Sequence, residues 1–266
     1  MKFQLLISAL NKEPKEMINR MKIDSPCLIM IQTDKTGEES LQVQGNEVKV
    51  FYSDKRGVGL SRNTLLEKAD SDICLFGDDD LIYEEGYDKK VLKAFEEYPE
   101  ADMMVFNLNI PEDRKTYHIE KSERVRLWNC GRYGTAGLAV KRESVINKNI
   151  RFSTLFGGGA KYSNGEDSLF ISDCLKAGLI MRTYPATVAS EEGRESTWFK
   201  GYDRKFFFDR GVLYKFLYGK LAMAMAFRFV FLKRKNICRD IPWQEAFKIM
   251  REGIHETVDQ HSGSGS

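Results

Sequence analysis

Apolar and polar residues alternate in blocks along the first part of the chain, and the blocks have the lengths of strands and helices. Continuous apolar runs, which predict buried strands, cover residues 3–10, 27–31, 48–52, 73–76 and 103–108. Apolar residues at helical spacing predict helices at residues 14–21, 60–69 and 84–98. Strands that alternate with helices in this way indicate an α/β fold with a doubly wound, mostly parallel sheet.

Past residue 111 the pattern becomes less regular. Residues 114–129 are polar, with an alternation that suits a strand or a hairpin. Gly134 and Gly137 indicate that the following segment passes close to a ligand or to another backbone. Apolar spacing predicts a helix at residues 165–178 that ends at a glycine, as helix C-caps often do, and residues 179–184 predict one more strand.

Residues 212–232 are dense in Leu, Phe, Tyr and Met, but Lys215, Lys220 and Arg228 interrupt the apolar sequence. The stretch therefore lacks the roughly 20 consecutive apolar residues that a membrane-spanning helix needs. Aromatic residues interleaved with cations are typical of a helix in a membrane interface, so we expect residues 212–235 to bind an anionic membrane surface. The alternative is a helical hairpin that packs on the domain while its cations reach the solvent.

The net charge of +2 hides a strong asymmetry along the chain. Residues 200–239 contain eleven Lys or Arg against two Asp, a net charge of +9, which indicates an anionic partner. Nucleic acid is not favoured, because residues 222–226 read Ala-Met-Ala-Met-Ala and offer nothing to phosphates. The five Cys are scattered and odd in number, and no signal peptide is evident, so we expect reduced thiols in a cytoplasmic protein.

Three consecutive carboxylates, Asp78, Asp79 and Asp80, follow the predicted strand at residues 73–76. Neighbouring like charges repel each other, and a divalent cation such as Mg²⁺ or Mn²⁺ would neutralise them, since these ions prefer hard oxygen ligands. Ligands of α/β proteins bind where strands end at the carboxyl edge of the sheet, which is where this triplet is expected. The alternative is an acidic turn exposed to solvent.

Three motifs of this sequence follow one another in a characteristic order. They are Gly-Val-Gly-Leu-Ser-Arg-Asn at residues 57–63, a D-x-D element within Asp78, Asp79 and Asp80, and the pair Glu166 and Asp167 at a predicted helix start. In this order the motifs resemble family 2 glycosyltransferases with the GT-A fold, of the bacterial capsule or exopolysaccharide type, over roughly residues 1–200. That family usually has an Asp one place before the position of Gly77, and this departure leaves the register of the D-x-D element open.

The resemblance implies a nucleotide-diphosphate sugar as donor and transfer with inversion at the anomeric carbon. Asp80, helped by Asp78, would bind Mn²⁺ or Mg²⁺, and Asp79 or Asp78 would bind the ribose. The metal ion would act as a Lewis acid that neutralises the leaving diphosphate. Asp167 matches the catalytic base, which must lie within hydrogen-bond reach of the acceptor hydroxyl. The alternative is that Glu166 and Asp167 only stabilise the N-terminus of their helix.

Further site residues are expected from the same resemblance. Asp34 and Asp54 are candidates for nucleobase recognition, because the second strand ends in Gln-Thr-Asp where the family usually has an acidic pair. Arg62 is expected either to bind the diphosphate or to form a salt bridge within the protein. The expected acceptor contacts are Glu166, Gly158, Gly159 and Trp198, and the candidates for a third metal ligand, in place of the usual His, are Glu191 and Glu192.

We expect a GT-A catalytic domain at residues 1–200, with a donor-binding half at 1–110 and an acceptor-binding half at 111–200. A basic, amphipathic helical extension at residues 201–260 is expected to contact the membrane. Residues 261–266 form a Gly/Ser tail.

The expected function is metal-dependent transfer of a hexose or N-acetylhexosamine, preferably from a UDP-sugar, to a lipid-linked oligosaccharide in surface polysaccharide synthesis. Such a protein would lie peripherally on the inner face of the cell membrane, and self-association of its C-terminal helices stays open. Two alternatives are a sugar-phosphate nucleotidyltransferase and a non-catalytic sugar-nucleotide-binding subunit of another transferase. The nucleotidyltransferase would usually carry a Gly-rich basic loop after the first strand, where this chain has Ser-Ala-Leu-Asn at residues 8–11.

Overall fold

The computed structural model describes residues 1–111, 117–191 and 201–258. The strands within these residues are β1 (Phe3–Leu10), β2 (Cys27–Gln32), β3 (Gly37–Val43), β4 (Asn46–Ser53), β5 (Ile73–Asp78), β6 (Leu81–Tyr83), β7 (Met103–Asn109), β8 (Leu138–Lys141) and β9 (Met181–Glu191). The α-helices are α1 (Pro14–Met21), α2 (Val58–Lys68), α3 (Tyr87–Glu97), α4 (Arg142–Ile146), α5 (Glu166–Lys176), α6 (Arg204–Tyr218), α7 (Ala222–Ile237) and α8 (Trp243–His255). Short 3-10 helices lie at Cys130–Arg132 and Gly219–Leu221.

These strands form one sheet in the order β3-β4-β2-β1-β5-β8-β7-β9-β6. β1 pairs in parallel with both β2 and β5, and β2 pairs in parallel with β4. β8 runs antiparallel between β5 and β7, while β7 pairs in parallel with β9. The predicted α/β fold with a doubly wound, mostly parallel sheet is confirmed.

Helices cover both faces of the sheet, and each face has its own apolar cluster. One cluster buries Met17 of α1 and Phe95 of α3 against the strands. The opposite cluster buries Leu65 of α2 and Phe170 of α5. Because both faces are covered, the central strands have nearly continuous apolar sequences. Burial of each large apolar side chain contributes about 1.5–3 kcal/mol to the free energy of folding.

The register of the parallel strands brings their carboxyl ends together. Ser8 of β1 pairs with Asp78 of β5, and Leu10 of β1 pairs with Gln32 of β2. Gln32 pairs in turn with Ser53, the last residue of β4. The residues that follow these four strands therefore meet at one edge of the sheet, which is where a ligand of an α/β protein binds.

Some strands were not predicted from the sequence pattern. β3 lies in a segment expected to be a polar loop, because its side chains are mostly exposed at the sheet edge and carry no apolar pattern. A turn at Gln44 and Gly45, both with positive φ, joins β3 to β4 in a hairpin. The strand or hairpin predicted at 114–129 is wrong for residues 117–129, which form no named strand and one isolated bridge, from Arg124 to Arg182.

The C-terminal helices α6, α7 and α8 pack on one another around a small apolar core. The backbones of α6 and α8 are in close contact at two glycines, Gly211 of α6 and Gly253 of α8. A Cβ atom at Gly211 would lie 2.1 Å from the carbonyl oxygen of Met250, and a Cβ atom at Gly253 would lie 2.2 Å from that of Phe208. Glycine at both positions is therefore what allows the two helices to approach so closely.

α6 also joins the C-terminal helices to the rest of the protein. Val212 and Leu213 are buried against Phe156, Tyr162 and Leu169 in a separate apolar cluster. The first part of segment 212–235 is therefore packed on the domain, as in the hairpin alternative. The large apolar side chains that this region leaves exposed are Leu221, Phe227, Phe231 and Leu232, on or next to α7. None of the helices in the described part of the chain has the length and apolar character that crossing a membrane requires.

Candidate active site

The acidic triplet lies at the carboxyl edge of the sheet, where β5 ends. Asp78 is the last residue of β5, and Asp79 and Asp80 form the turn into β6. The side chain of Tyr83 in β6 lies against Gly77 near the end of β5. A Cβ atom at Gly77 would be 1.9 Å from the Tyr83 hydroxyl oxygen, so only glycine fits there. The glycine thus leaves room for β6 to return beside the triplet.

Arg62 of α2 connects the acidic triplet to the start of α5. Its Nη2 donates a hydrogen bond to Asp78 Oδ1 at 2.8 Å. Its Nη1 donates to Asp167 Oδ1 at 2.8 Å and to Glu166 Oε1 at 3.2 Å. The side chain is 5% exposed, so these ion pairs are largely shielded from water. The guanidinium therefore holds together carboxylates from two distant parts of the chain, as in the salt-bridge alternative.

The Arg62 guanidinium stays charged although it is buried. Burial alone would lower the pKa of Arg62, but the carboxylates of Asp167, Asp78 and Glu166 raise it above its usual value. One positive charge thus faces three carboxyl groups. Burial and the neighbouring Asp167 raise the pKa of Glu166. The Glu166 carboxyl group is therefore protonated more readily, which reduces the negative charge around Arg62.

Asp167 has one carboxylate oxygen that is held by the protein. Oδ1 accepts hydrogen bonds from Arg62 and from the hydroxyl of Thr135. Within the described part of the chain, no N–H or hydroxyl group donates a hydrogen bond to Oδ2 of Asp167, and the carboxyl group of Glu166 lies within hydrogen-bond reach of the Asp167 side chain. A Cβ atom at Gly134 would lie 3.3 Å from Oδ2, so a larger residue there would crowd this oxygen. The arrangement orients the carboxylate and leaves Oδ2 able to accept a proton.

A glycine-rich loop at residues 155–160 packs against Glu166 and against the start of α2. The backbone N–H of Val58 donates to the carbonyl oxygen of Gly158 at 3.0 Å. A Cβ atom at Gly157 would lie 2.7 Å from the carboxyl group of Glu166, and its φ of +101° also favours glycine. Gly159 packs just as closely, with its Cβ position 3.1 Å from the backbone nitrogen of Gly57. The roles of Gly158 and Gly159 in acceptor binding stay predictions.

α6 holds the segment between this loop and α5. The buried carboxylate of Asp209 accepts hydrogen bonds from the backbone N–H and the hydroxyl of Ser163, at 2.8 and 2.7 Å. Lys205 forms an ion pair with the same carboxylate at 2.6 Å. α6 also contacts the residue before α5, because the side chain of Leu213 lies 2.6 Å from the position that a Cβ atom of Gly165 would take. The C-terminal helices therefore support the segment that carries Glu166 and Asp167.

The surroundings of Asp80 test whether the triplet suits a metal ion. Burial raises the pKa of Asp80 to about 6, and the negative charges of Asp78, Glu191 and Asp79 add to this rise. Glu191 lies beside the triplet because β9 pairs with β6, with Leu81 opposite Glu191. The carboxylate oxygens of these residues are hard ligands that suit Mn²⁺ or Mg²⁺, and a cation would relieve their repulsion.

The side chains are not already arranged as a metal site. Across residues 1–111, 117–191 and 201–258, no group of three or more His, Cys, Asp or Glu is placed to hold a metal ion. The carboxylate oxygens of Asp78, Asp80 and Glu191 are thus suitable ligands for a divalent cation. Their present side-chain positions do not surround a common point where a cation would bind. Glu192, the other candidate for a third ligand, lies outside the described residues.

A cavity of about 390 Å³ opens next to the triplet, at the carboxyl ends of β1, β2 and β4. Its lining residues are mostly polar and include one large aromatic ring: Asn11, Lys12, Glu13, Pro14, Ile31, Thr33, Lys35, Glu39 and Tyr52. Asp79 lies next to this cavity, because its Oδ2 is 4.0 Å from Nζ of the lining residue Lys12 and accepts a hydrogen bond from the backbone N–H of Leu10 at 3.2 Å. A polar cavity with one aromatic ring at this edge suits a nucleoside.

The other sequence-predicted residues are not brought into this cavity. Asp34 is exposed and forms an ion pair with Arg56 at 3.2 Å, and Asp54 is also exposed at the surface. Neither carboxylate belongs to the lining of the 390 Å³ cavity. Trp198, a candidate for acceptor binding, lies outside the described residues. The roles of these residues stay predictions, as does diphosphate binding by Arg62.

Sequence reasoning missed several residues that the structure places at the site. Thr135 holds the candidate base, and the only signal for it was the pair of glycines at 134 and 137 that indicated a close approach. Asn11, Lys12 and Thr33 line the cavity. Their signal was position, since they directly follow the apolar runs of β1 and β2.

The sequence and the fold were compared with known proteins. Residues 32–155 match the family model described as Glycosyl transferase family 2. No curated protein matches the sequence. The structure of S. aureus TarS 1–349 is similar to this chain, with a TM-score of 0.64 at 12% identity over 96% of this chain and 81% of that protein.

Two further solved structures share the fold and were determined with ligands. S. aureus TarS 1–349 in complex with UDP-GlcNAc has a TM-score of 0.59 and 14% identity, and covers 96% of this chain and 72% of its own. The mannosyltransferase PcManGT from Pyrobaculum calidifontis, in complex with GDP-Man and Mn²⁺, has a TM-score of 0.54 and 13% identity, and covers 95% of this chain and 73% of its own. The shared fold is that of GT-A proteins, and together with the family match it supports a glycosyltransferase as the class of enzyme.

Proposed function

We propose that the protein transfers a glycosyl group from a nucleotide-diphosphate sugar to an acceptor hydroxyl, with Asp167 as the catalytic base. The observation that carries this proposal is the bridge made by Arg62, which holds Asp167 beside the acidic triplet at the carboxyl edge of the sheet. A base and a diphosphate-binding edge must lie together for such a transfer. The match of residues 32–155 to family 2 supports the glycosyl transfer, and Asp167 lies outside the matched residues.

The proposed reaction is a single in-line displacement. The acceptor oxygen forms a bond to the anomeric carbon while the bond from that carbon to the diphosphate oxygen breaks, and its electron pair leaves with the diphosphate. The acceptor proton moves to Oδ2 of Asp167, because Arg62 and Thr135 already occupy Oδ1. Attack from the face opposite the leaving group inverts the anomeric configuration.

Asp80 and Asp78 are the residues that would hold Mn²⁺ or Mg²⁺, with Glu191 as the third candidate. The bound cation would supply charge neutralisation for the leaving diphosphate. The structural neighbour PcManGT was determined with Mn²⁺, which supports a metal in a related fold. Asp78 is also held by Arg62, so its carboxylate is oriented from the protein side.

The proposed donor is a UDP-hexose or UDP-N-acetylhexosamine. The 390 Å³ cavity is the proposed nucleoside site, and Asp79, next to the lining residue Lys12, is the proposed contact for the ribose. TarS was determined with UDP-GlcNAc and PcManGT with GDP-Man. UDP is therefore the first donor to test and GDP the second.

The proposed acceptor is a lipid-linked oligosaccharide in the synthesis of a capsule, exopolysaccharide or related surface glycan. The protein would then act as a peripheral protein at the inner face of the cell membrane. Support comes from the exposed apolar side chains on and next to α7, which are interspersed with exposed cations such as Lys220 and Lys233. The buried part of α6, including Val212 and Leu213, takes no part in this surface.

The experiment that tests this function is donor hydrolysis across UDP-, GDP- and dTDP-sugars, with Mn²⁺ and with a chelator. We expect slow, metal-dependent release of one nucleotide by the wild-type protein, and loss of this release in Asp80→Ala. The matched control is Asp70→Ala, which removes an exposed carboxylate at the other end of β5. Absence of binding to every donor would overturn the glycosyltransferase proposal, and binding without any turnover, even with candidate acceptors, would favour a non-catalytic subunit.

A further inference from the structure

Arg210 of α6 is a cation without a carboxylate partner among the described residues. Its Nε is buried and has no hydrogen-bond partner there. The guanidinium carbon lies 5.2 Å from the ring centre of Phe206 and 5.5 Å from that of Phe229, so two aromatic rings form its walls. The neighbouring Asp209 is turned away and is paired with Lys205 instead.

The surroundings of Arg210 contrast with those of Arg62, the other arginine with a buried and unpaired Nε. Arg62 has carboxylates on both terminal nitrogens. Burial lowers the pKa of Arg210, and the groups that oppose this change are the hydroxyls of Tyr214, Tyr218 and Tyr202. Arg210 is partly exposed, with a buried and unpaired Nε, so its terminal nitrogens are open to an anion that would compensate the charge.

Arg228 of α7 brings a second positive charge near this site, because it directly precedes Phe229, whose ring centre lies 5.5 Å from the Arg210 guanidinium carbon and 5.8 Å from the ring centre of Tyr214. Burial raises the pKa of Tyr214 to about 12, and the charges of Arg210 and Arg228 act against this rise. Burial also raises the pKa of Tyr218, and the charges of Arg210 and Arg228 partly offset that rise. The ring centres of Tyr214 and Tyr218 are 5.0 Å apart. Two cations therefore flank two neighbouring phenol groups.

This set of groups matches the chemistry of a phosphate. A guanidinium pairs with two phosphate oxygens at once, and a phenol hydroxyl donates a further hydrogen bond. A carboxylate has two oxygens and can satisfy one arginine in this way, whereas a phosphate ester has enough free oxygens for both Arg210 and Arg228. The ring walls of Phe206 and Phe229 strengthen these ion pairs, because they exclude water.

The site also lies beside the segment that carries the proposed base. Tyr214 follows Leu213, whose side chain contacts the Cβ position of Gly165 at the start of α5. Since a helix with its side chains is about 10–12 Å across, the phosphate site is within roughly one helix diameter of the residues before Glu166. Tyr218 also lies near Cys130, in the segment that leads to Thr135. An anion bound there would therefore be close to the acceptor side.

We propose that Arg210, Arg228, Tyr214 and Tyr218 bind a phosphate group that the acceptor substrate carries. The assignment to the acceptor rests on the proposed function, whereas the binding of phosphate as such does not. A second source of the same chemistry is the headgroup of an anionic membrane lipid. The experiments below separate these two sources.

The first experiment measures thermal unfolding of the metal-free protein with inorganic phosphate, at constant ionic strength against chloride and with chelator present. We expect phosphate at ten times its Kd to raise the Tm of the wild-type protein by about 3–5 °C. This shift should be absent in Arg210→Met and at most half as large in Arg228→Gln. The matched control is Lys235→Gln, an exposed cation of the same helix α7, which should keep the full shift.

The variant Arg210→Met also separates an anion site from a structural role. An uncompensated cation makes the free protein less stable, so replacing it by an apolar side chain of similar length should leave Tm unchanged or raise it. If Arg210→Met fails to fold, the phosphate-induced shift in Tm of Arg228→Gln tests the site instead. Arg228 is exposed, so we expect its replacement to leave the fold intact. A phosphate-induced shift of equal size in the wild-type protein, Arg228→Gln and Lys235→Gln would overturn the phosphate site.

The second experiment compares the two sources of phosphate. Decyl phosphate below its critical micelle concentration should bind the wild-type protein at least tenfold more tightly than decanol does, and this preference should be lost in Arg228→Gln. Co-sedimentation with phosphatidylcholine vesicles that contain 20% phosphatidylglycerol should be the same for Arg228→Gln and Lys235→Gln. A loss of vesicle binding specific to Arg228→Gln would overturn the acceptor assignment and identify the lipid headgroup instead. Because neither experiment uses a donor, their results are distinguishable from a failure of donor hydrolysis.

Discussion

At the scale of single residues, the arrangement around Arg62 decides the electrostatics of the site. Its one positive charge is shared by Asp78, Glu166 and Asp167, and its burial makes each of these contacts strong. The guanidinium lies where donor-side and acceptor-side carboxylates converge. Losing it would leave three carboxyl groups close together with no cation between them.

We therefore expect Arg62→Met to lower the free energy of unfolding by about 3–5 kcal/mol at pH 7.5, because it leaves buried carboxylates unpaired. The loss should be smaller at pH 5, since Glu166, with its raised pKa, is then protonated. Urea unfolding at both pH values measures the effect. The matched control is Arg151→Met, which breaks the exposed ion pair with Glu67 and should change stability by less than about 1 kcal/mol.

Asp167→Asn should lower kcat by about 10²–10⁴-fold with little change in the Kd of the donor, because the amide cannot accept the acceptor proton. Transfer kinetics and donor binding by calorimetry test this together. Asp173→Asn, an exposed position on the same helix, should have near-normal kcat. A kcat for Asp167→Asn within threefold of that control would show that another group is the base.

The raised pKa of Asp80 predicts a pH-dependent stability in the metal-free protein. A carboxyl group whose pKa is about 6 in the folded state, against 3.8 ordinarily, contributes stability that is present below pH 3.8 and lost as the pH rises through 6. In chelator, Asp80→Asn should thus be more stable than the wild type by about 2 kcal/mol at pH 8, and the gain should vanish toward pH 4. Urea unfolding across this range measures it, and Asp70→Asn at the surface should gain nothing at any pH.

Residue types and their order in the chain were enough to predict the acidic triplet and Asp167 as the centre of a site. The triplet was predicted from its position after an apolar strand, whereas the role of Asp167 was predicted from the resemblance of three motifs to a known family, and both roles stay predictions. Thr135 could not be predicted, because a hydroxyl in an irregular segment carries no periodic signal. The contact of Arg62 with Glu166 joins positions 104 residues apart in the chain, and a pairing of this kind depends on the assembled sheet.

At the scale of elements, α6 acts as a support for the segment before α5. Asp209→Asn should weaken that support, because it removes the ion pair with Lys205 and one acceptor for Ser163. We expect a loss of stability of about 1–3 kcal/mol and a fall in kcat that exceeds any change in donor affinity. Limited proteolysis near residues 155–165, with Arg251→Gln at an exposed position of α8 as control, tests the first effect. Equal cleavage rates in both variants would contradict it.

Elements that bury a face over a long run of residues were predicted, whereas the exposed edge strand β3 and the short strands β6 and β8 were missed. The strands β1, β2 and β5 and the helices α1 and α3 were predicted because their apolar positions are set by burial against the sheet. β3 was missed because an exposed edge strand needs no apolar pattern. β6, with three residues, is too short for a period and is held in place by pairing with β9.

At the scale of the whole molecule, the packed C-terminal helices change how membrane binding should be tested. Deleting residues 212–235 would remove Val212 and Leu213 from a buried cluster and unfold part of the protein. The substitutions Phe227→Ser and Phe231→Ser instead alter exposed, stacked rings. Together they should lower co-sedimentation with anionic vesicles about tenfold or more, because each ring contributes apolar area to the interface. Trp128→Ser, a strongly exposed aromatic outside these helices, is the control, and equal loss in both variants would contradict a membrane surface on α7.

The position of β8 has a consequence for how the enzyme is made. β8 fills the sheet between β5 and β7, although it is translated after both of them. A chain emerges from the ribosome at about 5–20 residues per second, so the strands that surround the 390 Å³ cavity can assemble while the gap between β5 and β7 is still empty. Long-range pairings of this kind form slowly. The proposed base at 167 and its support on α6 are translated later still, so a growing chain can form the proposed nucleoside cavity before it has the residues proposed for sugar transfer.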